Sequence, residues 1–253
     1  MKFFRKIRQR LLSQNKFRQY LVYAIGEIIL VVIGILIALA INNKNQDRVT
    51  QEKENIYLQG LRKEFEISKT KLAELIQVNK DNFNGAKQLL HYISSADEVP
   101  TEKQFSQLLF NSFSSDILFN PNNSLLQEII NSGSLKDISN TDLRIQLTNW
   151  VSTLDDIAKQ ENDLGIQREK VIDMLRTENY SLRTIFDDAG VNQEIGLPIS
   201  EENTSNLPLL DSKEFENNIL MFVLASSAME KAHYQPLMDD LNSILQLIES
   251  EID

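Results

Sequence analysis

The chain has 253 residues, with 36 Asp and Glu against 26 Lys and Arg, for a net charge of −10. It contains no cysteine, which excludes disulfides, thiolate catalysis and cysteine-held zinc. The charge is uneven: residues 1–48 carry +7 and the remainder −17. An acidic body cannot neutralise phosphates, so nucleic acid is not an expected partner.

Residues 1–19 read as a basic amphipathic head. Phe3, Phe4, Ile7, Leu11 and Leu12 recur at helical spacing among Arg5, Lys6, Arg8 and Arg10. That pattern suits a helix lying against anionic lipid headgroups. The run over residues 21–41 has a single charged member, Glu27. About 20 apolar residues let a helix cross the hydrocarbon core, so residues 20–43 are read as a transmembrane helix, with Tyr20 and Tyr23 at the interface. A cleaved signal peptide is the rival, because Ala38-Leu39-Ala40 has small-x-small form. The apolar run is too long for a signal h-region and the head too long for an n-region, which favours an uncleaved signal anchor.

Lys2, Arg5, Lys6, Arg8, Arg10, Lys16 and Arg18 precede the run, while Lys44, Arg48 and Lys53 follow it within a dozen residues. The positive-inside rule then places the N-terminus in the cytoplasm and residues 44–253 outside. The expected location is the plasma (inner) membrane, single-pass, with membrane lipid as a partner of residues 1–43.

The body reads as helical. Over residues 47–93 a seam runs through Leu58, Leu61, Phe65, Ser68, Leu72, Leu75, Asn79, Phe83, Ala86, Leu90 and Ile93, at steps of three and four. Residues 96–100 break the pattern. A shorter helix follows over residues 101–113, with Phe105, Leu108, Leu109 and Phe113 inward. Residues 119–123, Phe-Asn-Pro-Asn-Asn, are turn chemistry. Residues 124–131 form a short helix stopped by Gly133 as a left-handed cap. Asn140 or Thr141 caps the clearest helix of the body, whose stripe is Leu143, Leu147, Trp150, Leu154, Ile157, Leu164, Val171 and Leu175. Residues 187–211, with Gly190, Gly196, Pro198 and Pro208, lack periodicity and read as a long loop. A last helix runs over residues 212–252, interrupted or kinked at Pro236. No strand alternation or internal repeat is visible. The expected fold is all-α: a transmembrane helix followed by an extracytoplasmic antiparallel helical bundle with long helices, residues 44–253.

Two sets of residues carry a family resemblance. The first is Phe3-Phe4-Arg5-Lys6-Ile7-Arg8-Gln9, Asn15-Lys16-Phe17, Tyr23-Ala24-Ile25-Gly26-Glu27-Ile28, residues 31–39 (Val-Val-Ile-Gly-Ile-Leu-Ile-Ala-Leu) and Ile41-Asn42-Asn43. The second is Gly133, Leu135, Ile138, Asn140, Leu143 and Arg144. The stretches they fall in make up about a fifth of the chain. This pattern resembles a family of bacterial single-pass membrane proteins known only as a domain of unknown function. The resemblance implies the single-pass topology and supplies no activity.

Candidate sites are few. Glu27, Val31, Gly34, Ala38 and Ile41 share one helical face, and Gly34 and Ala38 form a small-xxx-small pair. An acid inside a span marks a functional candidate, here a packing face toward another copy or a partner. The bland reading is that Glu27 snorkels to the headgroups. Glu161 and Arg168 fall where the body's clearest stripe should be apolar. They are expected as a buried polar layer that sets register, as a locally exposed stretch of the stripe, or as the lining of a ligand pocket. His91 and His233 are isolated, without metal-ligand spacing, and Trp150 reads as core. No P-loop, dinucleotide fingerprint, nucleophile elbow or calcium loop is present.

The sequence therefore reads as a non-enzymatic, membrane-anchored interaction or scaffold protein of the cell envelope, with no cofactor or metal. Its expected partner is a membrane or envelope protein or another copy. The alternative is an extracytoplasmic ligand-sensing helical domain acting through a partner.

Overall fold

The structure, a computed structural model, describes residues 17–95, 97–201 and 204–252. The amphipathic reading of Phe3, Phe4, Ile7, Leu11 and Leu12 lies outside the described residues, as does the side chain of Tyr20. Among the described residues every regular element is helical. Helix α1 spans Phe17–Ser94. The chain divides into two compact units, Met1–Ile56 and Tyr57–Asp253.

In the first unit an 18-residue stretch of α1 is long and apolar enough to cross a membrane, and none of it is buried against the chain. Leu30, Val31, Leu36 and Ile41 are all more than half exposed. Such a face is stable where lipid replaces water around it. This is the character expected of an N-terminal anchor.

The second unit holds the core. After the α1 segment come α2 (Glu102–Phe113), α3 (Ser124–Asn131), a 3-10 turn (Ser134–Asp137) and the long α4 (Thr141–Leu175). Then follow α5 (Leu182–Ala189), the single turn α6 (Val191–Glu194), a 3-10 turn (Leu207–Asp211), α7 (Lys213–Met229) and α8 (Gln235–Ile252). Helix α4 packs along α7 and α8, and α2 packs against α5. Aromatic pairs tie the layers together: Phe105 meets Phe215, Phe113 meets Phe222 edge-on, and Phe65 lies 5.2 Å from Trp150. Such pairs add about 0.5–1.5 kcal/mol beyond their burial.

Local chemistry sets the helix starts. Thr101 and Gln104 form a reciprocal capping box at α2. Asn140 caps α4 through a 2.9 Å bond from the Leu143 amide, which settles the choice between Asn140 and Thr141. Ser181 caps α5 and Ser212 caps α7. Gly133 has φ +70°, the left-handed stop expected after α3.

Two expectations need correction. Along α1 the buried line runs through Ile76, Asn79, Asn82, Ala86 and Leu89; Asn79 and Ala86 are as expected, whereas Leu75, Phe83 and Leu90 are half-buried. The cause is the close approach of α2, where Gly85 lies against the Ser112 hydroxyl. That contact sets the helix phase and leaves Phe83 beside Lys87, 5.4 Å from its ring centre. Leu154 is likewise only half-buried.

Residues 187–211 are not a plain loop. They hold the end of α5, α6 and a 3-10 turn. Asp187 accepts from the Asn192 side chain and the Ser200 amide. Asn206, fully buried, exchanges two bonds with Ser181 and donates its own amide to Glu102 at 2.9 Å. Side chains thus supply the backbone partners that no helix could.

The interruption at Pro236 is real, but it takes the form of a π-helical turn over Glu230–Tyr234. Proline lacks an N–H and clashes with the carbonyl four residues earlier; the wider turn accommodates both.

Candidate functional site

Glu161 and Arg168 both lie on the inward face of α4. Glu161 is 3% exposed. Its Oε1 accepts from the Tyr234 hydroxyl at 2.8 Å and from the Phe119 amide at 2.9 Å. Burial pushes its carboxyl above the usual range, and the Tyr234 and Phe119 hydrogen bonds pull partly back. Burial, then the neighbouring Glu161 charge, drives the Tyr234 phenol far upward, so it remains a donor at any physiological pH.

Two helical turns on, Arg168 is committed to three partners. Its Nε donates to the Phe113 carbonyl at 2.8 Å, closing the end of α2. Its two terminal nitrogens pair with Asp116 at 2.8 Å and Glu169 at 3.0 Å. No ion pair joins Glu161 to Arg168 among the described residues. The two instead hold different points of one segment, residues 114–123, between α2 and α3.

Helix α1 holds the same segment. Ser68 Oγ accepts from the Asn122 amide at 2.9 Å. Lys71 donates to the Asn120 carbonyl at 3.0 Å and to Asn122 Oδ1 at 2.7 Å. Glu64 accepts from the Leu125 and Leu126 amides at 2.6 and 3.2 Å. It thereby caps α3 where Asn123 provides no side-chain bond, and its charge suits the positive end of that helix. The turn chemistry at residues 119–123 is thus an extended connection bonded to two long helices. Beside it lies a cleft of about 430 Å³ lined by Glu161, Arg168, Asp116, Leu118 and Lys170.

Chemically, this arrangement can hold a chain segment and bind a proton. Both side chains are bonded to protein partners, and both also line this cleft. Glu64 and Tyr234 were not legible as members. Glu64 sits in an ordinary surface-helix pattern, and the only signal for Tyr234 is its place two residues before Pro236.

A second buried polar contact fixes α1 against α7. Asn79 Nδ2 donates to the Ser226 carbonyl at 3.2 Å, and Ser226 Oγ donates back to Asn79 Oδ1 at 2.8 Å. Such a pair specifies register, since any slip leaves it unsatisfied.

In the first unit, Glu27, Val31, Gly34 and Ala38 share one face of α1. Glu27 is half-buried and the other three are exposed. A methyl group at Gly34 would meet nothing within 4 Å, so the face is open to a neighbouring helix.

His91 is exposed and pairs with Glu98 at 3.0 Å near the end of α1. His233 is half-buried in the π turn. The patch from Gly133 to Arg144 is structural. Ile138 and Leu143 are buried. Arg144 donates to the Ile138 carbonyl at 2.7 Å, and Asn140 also reaches Glu251 of α8 at 2.7 Å.

The features together define an all-helical protein with one long apolar N-terminal helix. The chain belongs to a family of unknown function (DUF6090), which matches residues 27–156, just over half of its length. No curated protein and no solved structure matches it. The matched region contains Glu27, the 114–123 connection with its contacts from α1, and the Gly133–Arg144 patch; Glu161, Arg168 and Tyr234 fall beyond it.

Proposed function

We propose that this chain is a non-enzymatic, membrane-anchored interaction protein of the bacterial cell envelope. Its N-terminus lies in the cytoplasm and its helical body outside. One observation carries the reading: an apolar run with no burial against its own chain bears an exposed face of Val31, Gly34 and Ala38, one turn on from Glu27. Small residues let helix backbones approach in lipid, and an intramembrane carboxyl favours a neighbour that can hydrogen-bond it. The excess of basic residues before the run supports the orientation. The body is an antiparallel bundle that meets an envelope protein or a second copy. A ligand-sensing body is the second reading, favoured by the clefts along α4.

In-cell crosslinking of the tagged full-length protein, followed by mass spectrometry, tests the first reading. A recurrent partner or dimer lost in Glu27→Leu is expected. A crosslinked species unchanged by Glu27→Leu overturns the packing role.

A further inference from the structure

Four carboxylates line the cleft of about 430 Å³ beside the 114–123 connection: Asp116, Glu161, Glu169 and Asp173. Three of them have a cation. Asp116 and Glu169 pair with Arg168 at 2.8 and 3.0 Å. Arg176 reaches Glu169 at 3.0 Å and Asp173 at 2.6 Å. Lys170, exposed, donates to Gln167 instead. Glu161 has no cation partner among the described residues, although it is the most buried of the four. A buried carboxylate without a counter-ion is unfavourable, and a cation entering beside it relieves that strain.

The two oxygens of Glu161 differ. Oε1 accepts from the Tyr234 hydroxyl and the Phe119 amide. Oε2 accepts no bond from the described residues, and unlike the indole N–H of Trp150 it is not sealed from solvent. The walls near it are apolar. Leu118 and Ile166 are 62% and 45% exposed in the lining. Gly165 leaves α4 without a side chain there, and a methyl group on it would meet nothing within 4 Å. The volume falls within the range of small-molecule sites, which begin at about 300 Å³.

We propose that this cleft binds a primary alkylammonium, with its charged group on Oε2 of Glu161 and its alkyl chain against Leu118 and Ile166. An ammonium has three donors and no acceptor, which suits a carboxylate oxygen that has no donor. Glu161 repels a carboxylate ligand, and an alcohol brings a donor without the charge. The site rests on the ligand-sensing reading and gives it a ligand class.

The probe is n-butylammonium, titrated by calorimetry into full-length protein in nanodiscs, with empty nanodiscs as the blank. Saturable binding is expected, with 1-butanol weaker by about tenfold or more. Glu161→Gln keeps the acceptor for Tyr234 and Phe119 but removes the charge, and should weaken binding by a similar factor of about ten. Gly165→Leu narrows the cleft and favours the helix, so it should abolish binding while circular-dichroism melting shows the protein folded. No saturable heat, equal binding of the alcohol, or unchanged binding in either variant overturns the site. In-cell crosslinking with and without n-butylammonium separates binding from sensing: calorimetric binding that leaves the crosslinked species unchanged supports the site and removes the sensing role.

Discussion

The contact between Glu161, Tyr234 and Phe119 gives the sharpest test of how the body is held together. Replacing Glu161 by Ala leaves the fully buried Tyr234 hydroxyl and the Phe119 amide without their acceptor. Each orphaned donor costs about 1–3 kcal/mol. Relief of a desolvated carboxyl offsets part of this, so the expected net loss is about 2–5 kcal/mol. For a unit of this size that lowers Tm by roughly 2–4 °C per kcal/mol. Glu161→Gln keeps an oxygen at the Oε1 position and removes the charge, so it should stay within about 1 kcal/mol of the parent.

The pH dependence follows from the raised carboxyl. A group that holds its proton more tightly folded than unfolded favours the fold below its unfolded value, here 4.5. That advantage is lost as pH rises from 4.5 through the raised folded value. Wild type should therefore lose stability relative to Glu161→Gln as pH climbs through that window, and the difference should then level off. Urea melts across pH, with a double-mutant cycle against Tyr234→Phe, provide the assay. Coupling between the two sites of about 0.5–3 kcal/mol is expected. A Glu161→Ala loss under about 1 kcal/mol, or strict additivity with Tyr234→Phe, would refute the reasoning.

Two further substitutions test the geometry of packing and capping. Gly85→Ala should destabilise by about 1–3 kcal/mol, because the new methyl meets the Ser112 hydroxyl; adding Ser112→Ala should recover part of the loss in thermal melts. Gly133→Ala should cost about 1–2 kcal/mol through its positive φ alone, since a methyl there meets no atom within 4 Å, so a neutral result by denaturant titration would contradict the left-handed cap.

Much of the fold was legible because local rules and tertiary packing agree along most of the chain. The breaks at residues 96–100 and at Gly133, the cap at Asn140 and the inward Leu143, Leu147, Trp150 and Ile157 all rest on periodicity and turn chemistry. The phase of α1 beyond Leu72 was only partly legible: Asn79 and Ala86 are buried as expected, Leu75, Phe83 and Leu90 only half-buried. Hydrophobicity nominates Phe83, but burial goes to Asn82 because glycine and serine let α2 come close at Gly85. Residues 187–211 misled in the opposite direction. Glycines and prolines mark breaks in periodicity, yet short helical turns persist, with Asp187 accepting from the Ser200 amide and Glu102 of α2 from the Asn206 amide.

The candidate polar layer was half legible. Glu161 and Arg168 stand out as charges on an apolar stripe, and both proved to be turned inward, with Arg168 12% exposed. Apart from Glu169, their partners come from residues 113–119 and from Tyr234, whose sequence separation from Glu161 is 73. Helical period reveals which face a residue occupies and nothing about what arrives there.

The sequence by itself determined the apolar run with its single acid, the charge asymmetry, the helical character and most helix ends. Each depends on neighbours within about two turns of helix. Only the tertiary structure decided that the 114–123 connection is bonded to both α1 and α4, and that Asn79 locks to Ser226. It alone also showed that a buried carboxyl is shared between a backbone amide and a tyrosine raised by a π turn. Those contacts join residues far apart in sequence, and the need to satisfy buried polar groups selects them.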